Sequence, residues 1–268
     1  MITVSNLDRP TLLPNKPAGV RRIASIDVEW TKNYRITNGN KPFCYSIVYI
    51  DLPGQNALVD LGDVDFAFTS VYVEEPDEMQ ELIRGAAKVV GSAVEQADLI
   101  VGHQLCADLS VLANAGEQAH PAIDEARATW KRRRDPRVED PAFIDTRYDA
   151  GHLLSGTSRR LVDVCEELQL DVTQPELRGT SMTALHRKWL DHNNIEARER
   201  ISTLNVRHSL STAYVAVHAA GLGRWDQVHG LNVNRKIAAG ADGAWKWLRS
   251  STFTTLLGDT CPSGTAPL

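Results

Sequence analysis

The sequence predicts a mixed α/β fold in which one sheet is covered by helices. Three runs of β-branched and aromatic residues come first, at residues 23–30, 43–50 and 66–73. Short polar loops and the Pro53-Gly54 turn separate them, which is typical of an antiparallel meander. Helical periodicity then alternates with short apolar runs. This order favours three antiparallel strands followed by parallel strands, with helices flanking the sheet.

The later elements follow from the same patterns. Residues 78–96 place apolar side chains at three- and four-residue spacing, which predicts a helix. The remaining predicted strands cover residues 98–102 and 142–145, and the remaining predicted helices cover residues 105–115, 119–138, 161–170, 181–193 and 195–220.

Composition limits the classes of function. The chain has 268 residues and a net charge of −5, so any contact with nucleic acid must use local basic patches. Its four cysteines lack CxxC spacing, which indicates reduced thiols in a cytoplasmic protein. Since no signal peptide and no apolar run of about 18 residues occurs, we expect no membrane association.

Three regions are expected along the chain. Residues 1–20 are polar and proline-containing, which predicts a flexible leader. Residues 21–224 hold the predicted sheet and helices and form the main domain. Residues 225–268 form a C-terminal extension whose end is expected to be disordered. Trp245 and Trp247 of this extension are expected to pack in a short helix or to contact a protein partner, and a base-stacking platform is the alternative.

Two carboxylates on the first predicted strand are the leading candidates for chemistry. Asp27 and Glu29 are two residues apart, so both point to the same face of the strand. Like charges inside an apolar run are costly unless a cation compensates them, and a divalent metal bound through oxygen does so. The alternative is a solvated strand edge, or an ion pair with Arg21 or Arg22.

A second acidic feature follows the short strand that ends at Gly102. Asp108 lies in the first turns of the next predicted helix, where it can point back at the first strand. A carboxylate at a helix start is also favoured by the helix dipole alone. Asp108 is therefore either a third metal ligand or an ordinary helix-start acid.

These motifs resemble those of the DEDD 3′-5′ exonucleases, a family with the ribonuclease-H-like fold. Asp27-Val28-Glu29 matches the Asp-x-Glu of that family, and the segment from Gly102-His103-Gln104 through Asp108 to Leu112 matches its second motif, with Gln104 in place of Asn. Residues 143–147 and 161–168 resemble two further family segments. The resemblance covers residues 21–222 and implies an exonuclease-like domain.

The last motif of the family departs from this sequence, and two registers remain open. In the Tyr-x-x-x-Asp register, Leu204 replaces the Tyr and His208 replaces the Asp, while Asn205 matches a common family residue. In the His-x-x-x-x-Asp register, His208 is the general base and Ala213 replaces the Asp. The first register is preferred. One acidic ligand is missing in either case, and His208 remains in the site.

The resemblance implies a metal-dependent 3′-5′ exonuclease that hydrolyses the end of single-stranded DNA or RNA to nucleoside monophosphates. It would use one or two divalent ions, Mg²⁺ or Mn²⁺, with Mn²⁺ favoured by a histidine ligand. The alternative is an impaired pseudo-exonuclease that binds nucleic acid or protein. The expected catalytic and metal-binding residues are Asp27, Glu29, Asp108 and His208. The expected substrate-binding residues are Trp30, His103, Gln104 and Arg207.

A basic run closes the third predicted helix. Lys131 to Arg134, with Arg137 nearby, are either a solvated charge run or contacts to a phosphate backbone.

Overall fold

The computed structural model describes residues 1–12, 14–31, 39–54, 58–135 and 142–258. Within these ranges the strands are β1 (Ile2–Ser5), β2 (Val20–Thr31), β3 (Lys41–Pro53), β4 (Val59–Asp60), β5 (Ala67–Tyr72), β6 (Leu99–Gly102), β7 (Ala142–Asp145), β8 (Leu170–Asp171), β9 (Gly223–Arg224) and β10 (Leu231–Asn232). The α-helices are α1 (Met79–Gln96), α2 (Leu105–Ala115), α3 (Pro121–Arg132), α4 (Thr146–Asp149), α5 (Leu161–Glu167), α6 (Met182–His192), α7 (Ile195–Ala219), α8 (Val233–Gly240) and α9 (Ser251–Thr254).

The main sheet has the strand order β1-β5-β3-β2-β6-β7 among the described residues. β2 pairs with β3, and β3 with β5, in antiparallel register. β6 then pairs in parallel with both β2 and β7. The prediction of a mixed α/β sheet with antiparallel strands followed by parallel strands is confirmed.

Alternation along β2 assigns the two faces of the sheet. Ala24, Ile26 and Val28 join one apolar cluster with α1, α2 and α3. Ile23, from the odd-numbered set, joins the opposite cluster with α5 and much of α7. Asp27 and Glu29 belong to that odd-numbered set, so the strand directs both carboxylates to the face that α7 covers.

Helix α7 is buried along most of its 25 residues and packs against β2 and β3. Its N-cap is Asn194, whose side chain accepts a hydrogen bond from the Ala197 amide. Small polar residues let it approach the sheet closely, and the hydroxyls of Ser209 and Ser46 are 2.7 Å apart. This packing therefore holds the polar residues in the middle of α7, including Asn205 and His208, against β2.

The N-terminal segment differs from the predicted flexible leader. β1 pairs with β5 from Ile2↔Tyr72 to Ser5↔Thr69 and forms an edge of the sheet. The carbonyl of Pro10 accepts a hydrogen bond from the Thr69 hydroxyl at 2.8 Å. Apolar Ile2 and Val4 pack against the core, which a polar average over 20 residues conceals.

The C-terminal extension packs onto the core that α7 builds. Trp245 and Trp247 are 3% exposed, and Phe253 is fully buried in the same cluster. Both tryptophans therefore serve packing and do not offer a surface to a nucleobase. Residues 259–268, where disorder is expected, lie outside the described residues.

No described helix combines the length and apolar character needed to cross a membrane. Cys44, Cys106 and Cys165 are free thiols, as predicted, while Cys261 lies outside the described residues.

Candidate metal site

Three side chains from two elements converge above β2. The Nδ1 atom of His208 lies 3.6 Å from Oδ2 of Asp27 and 3.5 Å from Oε1 of Glu29. One ligand atom from each of the three residues lies within 4.8 Å of the others. This donor set, two carboxylates and one imidazole nitrogen, is one that first-row divalent metals accept. The structure thus brings together three of the four residues that the sequence predicted for the site, and their role as metal ligands stays a prediction.

His208 sets the charge balance of the trio that it forms with Asp27 and Glu29. Its side chain is 21% exposed, and those of Asp27 and Glu29 are 15% and 16% exposed. Burial alone would lower the pKa of His208, but the adjacent carboxylates of Asp27 and Glu29 outweigh it and raise the pKa to about 10. At neutral pH the imidazolium form therefore compensates part of the negative charge, and a metal must displace a proton to bind the ring nitrogen.

Asp108 lies beside the trio without joining it. It occupies the first turn of α2 and is 3% exposed. Burial, followed by the charges of Asp27 and Glu29, raises its pKa well above the ordinary value. Its Oδ2 atom is buried and has no hydrogen-bond partner within the described part of the chain. An unpaired buried carboxylate oxygen is costly, and a cation shared with Asp27 and Glu29 would remove that cost.

Asn205 fixes the orientation of Asp27. Its Nδ2 atom donates to Oδ2 of Asp27 at 2.5 Å and to the Asp27 carbonyl at 3.3 Å. Its Oδ1 atom accepts from the Cys44 thiol at 3.6 Å. Asn205 is three residues before His208, so both lie on one face of α7. The sequence placed Asn205 in the family motif, but its contact with Asp27 required coordinates.

Gln174 contacts His208, although no sequence pattern predicts this contact. Its side-chain amide nitrogen lies 3.2 Å from Nε2 of His208, on the side away from the carboxylates. It precedes a short 3₁₀ turn at Pro175–Leu177. Gln174 also lines an open pocket of about 660 Å³ whose wall includes Arg160, Val172 and Leu177. No motif marks a glutamine 34 residues before the histidine that it contacts.

His103, an expected substrate contact, is held from both sides. Its Nδ1 atom lies 2.9 Å from the Thr146 hydroxyl, and its Nε2 atom lies 2.9 Å from the Arg159 carbonyl. Burial is the main cause that lowers the pKa of His103 to about 4, so the ring is neutral. With both nitrogens engaged, His103 ties β6 to α4 and to the loop at Arg159, which is a structural role.

Gln104 and Trp30 occupy special backbone positions. Gln104 has φ +67°, a left-handed conformation that is uncommon outside glycine, and its side chain is exposed. Its backbone amide donates to Oδ1 of Asp145 at 2.8 Å, which ties the start of α2 to the end of β7. Trp30 follows a β-bulge in β2 and packs partly buried against the core. Neither observation tests a substrate contact.

Arg207 is a correction to the expected substrate-binding set. Its side chain is fully buried and forms a two-bond ion pair with Glu176, at 2.8 Å and 2.6 Å. A guanidinium without solvent access cannot reach a substrate phosphate. The reason is helical phase: Arg207 is next to His208, but a turn of about 100° directs it into the core.

The basic run at the end of α3 makes mostly internal contacts. The Arg133 guanidinium stacks 4.1 Å from the centroid of the Trp130 ring and pairs with Asp149 at 2.7 Å. Arg134 pairs with the same carboxylate but remains 66% exposed. Lys131 and Arg132 are exposed, and Arg137 lies outside the described residues.

The two registers of the last motif differ in what they predict for neighbouring positions. Leu204 is fully buried, and its aliphatic side chain offers no hydroxyl to the site. Ala213 is also fully buried and belongs to the apolar cluster. His208 itself faces Asp27 and Glu29, where a ligand in the first register belongs.

No protein-family model and no curated protein matches this chain.

Proposed function

We propose that this protein is a divalent-metal-dependent 3′-5′ exonuclease with a ribonuclease-H-like fold, related to the DEDD exonucleases. The observation that supports this most is the meeting of Asp27, Glu29 and His208 within 4.8 Å, beside a buried carboxylate oxygen of Asp108 that lacks a partner among the described residues. The strand order, with antiparallel strands followed by parallel ones, is compatible with that fold.

Each residue of the site would have a distinct role. Asp27, oriented by Asn205, would be the central oxygen ligand, with Glu29 and His208 on one side and Asp108 on the other. Divalent metal in such a site activates water and stabilises the leaving oxygen of a phosphodiester. The imidazole nitrogen of His208 favours Mn²⁺ over Mg²⁺, because nitrogen ligands suit softer cations.

Single-stranded ends are the proposed substrate. The protein carries a net charge of −5, so a phosphate backbone needs local positive charge near the site. Arg160, whose side chain is 75% exposed, lies on the wall of the pocket that Gln174 shares. A strand held by Arg160 in this pocket would lie on the Nε2 side of His208, where Gln174 joins the pocket to the site.

The test is release of mononucleotides from 5′-labelled single-stranded DNA and RNA, with Mn²⁺ or Mg²⁺ supplied separately. We expect activity that is higher with Mn²⁺ and is abolished by Asp27→Ala. Asp77→Ala, which removes an exposed carboxylate from the 3₁₀ turn before α1, is the matched control and should retain full activity. Absence of product with either metal would contradict the proposal.

A second candidate, a pseudo-exonuclease that only binds nucleic acid or a protein, is favoured by one observation. The imidazolium form of His208 already compensates Asp27 and Glu29, because these carboxylates raise the pKa of the ring, so the pair does not require a metal ion. This candidate predicts that the chain binds a single strand equally well with EDTA and with Mn²⁺, and releases no mononucleotide.

A further inference from the structure

We propose that Gln174 is a positioning residue for the metal site: it holds the Nε2 atom of His208 so that Nδ1 is the nitrogen presented to a cation. The inference rests on the metal site of the proposed function. Nε2 of His208 lies 3.2 Å from the side-chain amide nitrogen of Gln174. Nδ1 lies 3.5 Å from Oε1 of Glu29 and 3.6 Å from Oδ2 of Asp27. The two nitrogens of one ring thus face two different environments.

Hydrogen-bond chemistry decides which form of the ring this arrangement selects. A histidine that binds metal through Nδ1 carries its hydrogen on Nε2 and needs an acceptor there. The oxygen and nitrogen of a glutamine amide exchange places by a half-turn of the group. With its oxygen towards His208, Gln174 accepts the Nε2 hydrogen and leaves the Nδ1 lone pair directed at Asp27 and Glu29.

A buried ion pair keeps Gln174 in place. Glu176, two residues after Gln174, is fully buried and accepts two hydrogen bonds from Arg207, the neighbour of His208. Pro175 restricts the backbone between them. The 3₁₀ turn at Pro175–Leu177 is therefore attached to α7 one residue away from the histidine that Gln174 contacts.

The C-terminal extension completes this attachment. The Trp247 indole Nε1 donates to Oε1 of Glu176 at 3.4 Å, and the Trp247 backbone amide donates to Oε2 of Glu199 at 2.9 Å. Trp247 thus contacts both α7 and the turn that carries Gln174. The C-terminal extension, which lies outside the residues 21–222 that resemble the exonuclease family, therefore helps to hold Gln174 against His208.

The experiment measures Mn²⁺ binding to the full chain by calorimetry, and the ¹⁴N coupling of a metal-bound imidazole by pulsed electron paramagnetic resonance. Gln174→Ala should weaken Mn²⁺ binding about 10- to 100-fold and reduce the ¹⁴N coupling, because an outer-shell partner of a ligand histidine is lost. Gln174→Glu should restore both, since a carboxylate accepts the Nε2 hydrogen more strongly than an amide. Gln169→Ala, on the same pocket wall and without a described contact to His208, is the matched control and should bind Mn²⁺ as the wild type does.

The outcomes separate this inference from the proposed function. Wild-type binding of Mn²⁺ together with unchanged affinity and ¹⁴N coupling in Gln174→Ala would overturn the role of Gln174 and leave the metal site standing. Failure of the wild-type protein to bind Mn²⁺ would overturn the metal site itself, and the role of Gln174 with it. Thermal unfolding of each variant shows that the comparison is made on folded protein.

Discussion

Arg207 and His208 are consecutive residues of α7, and each faces carboxylates, yet they differ in burial and in their distance from those carboxylates. Arg207 and Glu176 are both fully buried and joined by two short hydrogen bonds. His208 is 21% exposed and sits 3.5 Å and 3.6 Å from Glu29 and Asp27, beyond the usual hydrogen-bond distance. The Arg207–Glu176 pair is closed to solvent and to any further ligand, whereas the trio around His208 is partly exposed. Exposure and the distances between the charged atoms, rather than charge alone, separate a structural ion pair from a candidate site.

Removing Glu176, the partner of Arg207, should cause the largest loss of stability among these substitutions. Glu176→Ala leaves the buried Arg207 guanidinium without its carboxylate, which should lower the free energy of unfolding by about 3–5 kcal/mol. Urea denaturation followed by circular dichroism measures this. The control, Glu196→Gln, removes an exposed carboxylate that pairs with the half-buried Arg200 on the same helix, and it should cost less than about 1 kcal/mol. Equal losses in the two variants would contradict the assignment of Arg207 as structural.

The next-largest effect is a pH dependence of the free energy of unfolding, caused by the trio of Asp27, Glu29 and His208. Asp27 and Glu29 raise the pKa of His208 from 6.5 to about 10. A raised pKa stabilises the folded state fully below about pH 6.5, and the contribution is lost as the pH rises through about 10. In EDTA, the free energy of unfolding of the wild-type protein should therefore fall by a few kcal/mol between pH 6 and pH 10, relative to that of His208→Gln. Parallel stability profiles for the two proteins would show that the trio carries no such coupling.

A smaller effect is expected when the ligand type at position 208 changes. His208→Asp replaces a nitrogen ligand with an oxygen ligand, which Mg²⁺ prefers. If His208 holds the position of the fourth family acid, Mg²⁺-dependent activity should rise on the order of tenfold, about 1.4 kcal/mol in transition-state free energy. The rate of mononucleotide release in Mg²⁺ measures it. Unchanged or lower activity would count against the Tyr-x-x-x-Asp register.

The weakest effect should come from the basic run on α3. Arg134 is 66% exposed, and its pairing with Asp149 duplicates that of the more buried Arg133. Arg134→Gln should change the free energy of unfolding by less than about 1 kcal/mol. Filter binding of single-stranded DNA at several salt concentrations tests whether Arg134 contacts phosphate, in which case the salt slope falls by about one.

Much of the fold followed from patterns within single segments. The aromatic and β-branched content of residues 43–50 and the apolar spacing of residues 78–96 identified β3 and α1 directly. The two-residue period of a strand also placed Asp27 and Glu29 on one face without any coordinates. These features depend on local geometry, which a sequence displays.

The remaining features depend on contacts between distant segments. β1 was missed because four residues in a polar leader form a strand only when β5 offers an edge. Gln174 reaches His208 from a short turn, and Arg207 finds Glu176 across 31 residues. A lone glutamine and a lone arginine carry no periodic signal, so the tertiary structure alone reveals whether each one packs or serves the site.

Manganese-edge anomalous diffraction from crystals soaked in Mn²⁺ at neutral pH would show plainly whether a cation binds between the carboxylates. We expect an anomalous peak from one Mn²⁺ ion within bonding distance of Asp27, Glu29 and Nδ1 of His208, with the Asp108 side chain turned towards it. An empty site at millimolar Mn²⁺, with His208 still paired to the two carboxylates, would contradict the proposed metal site and the exonuclease function that depends on it.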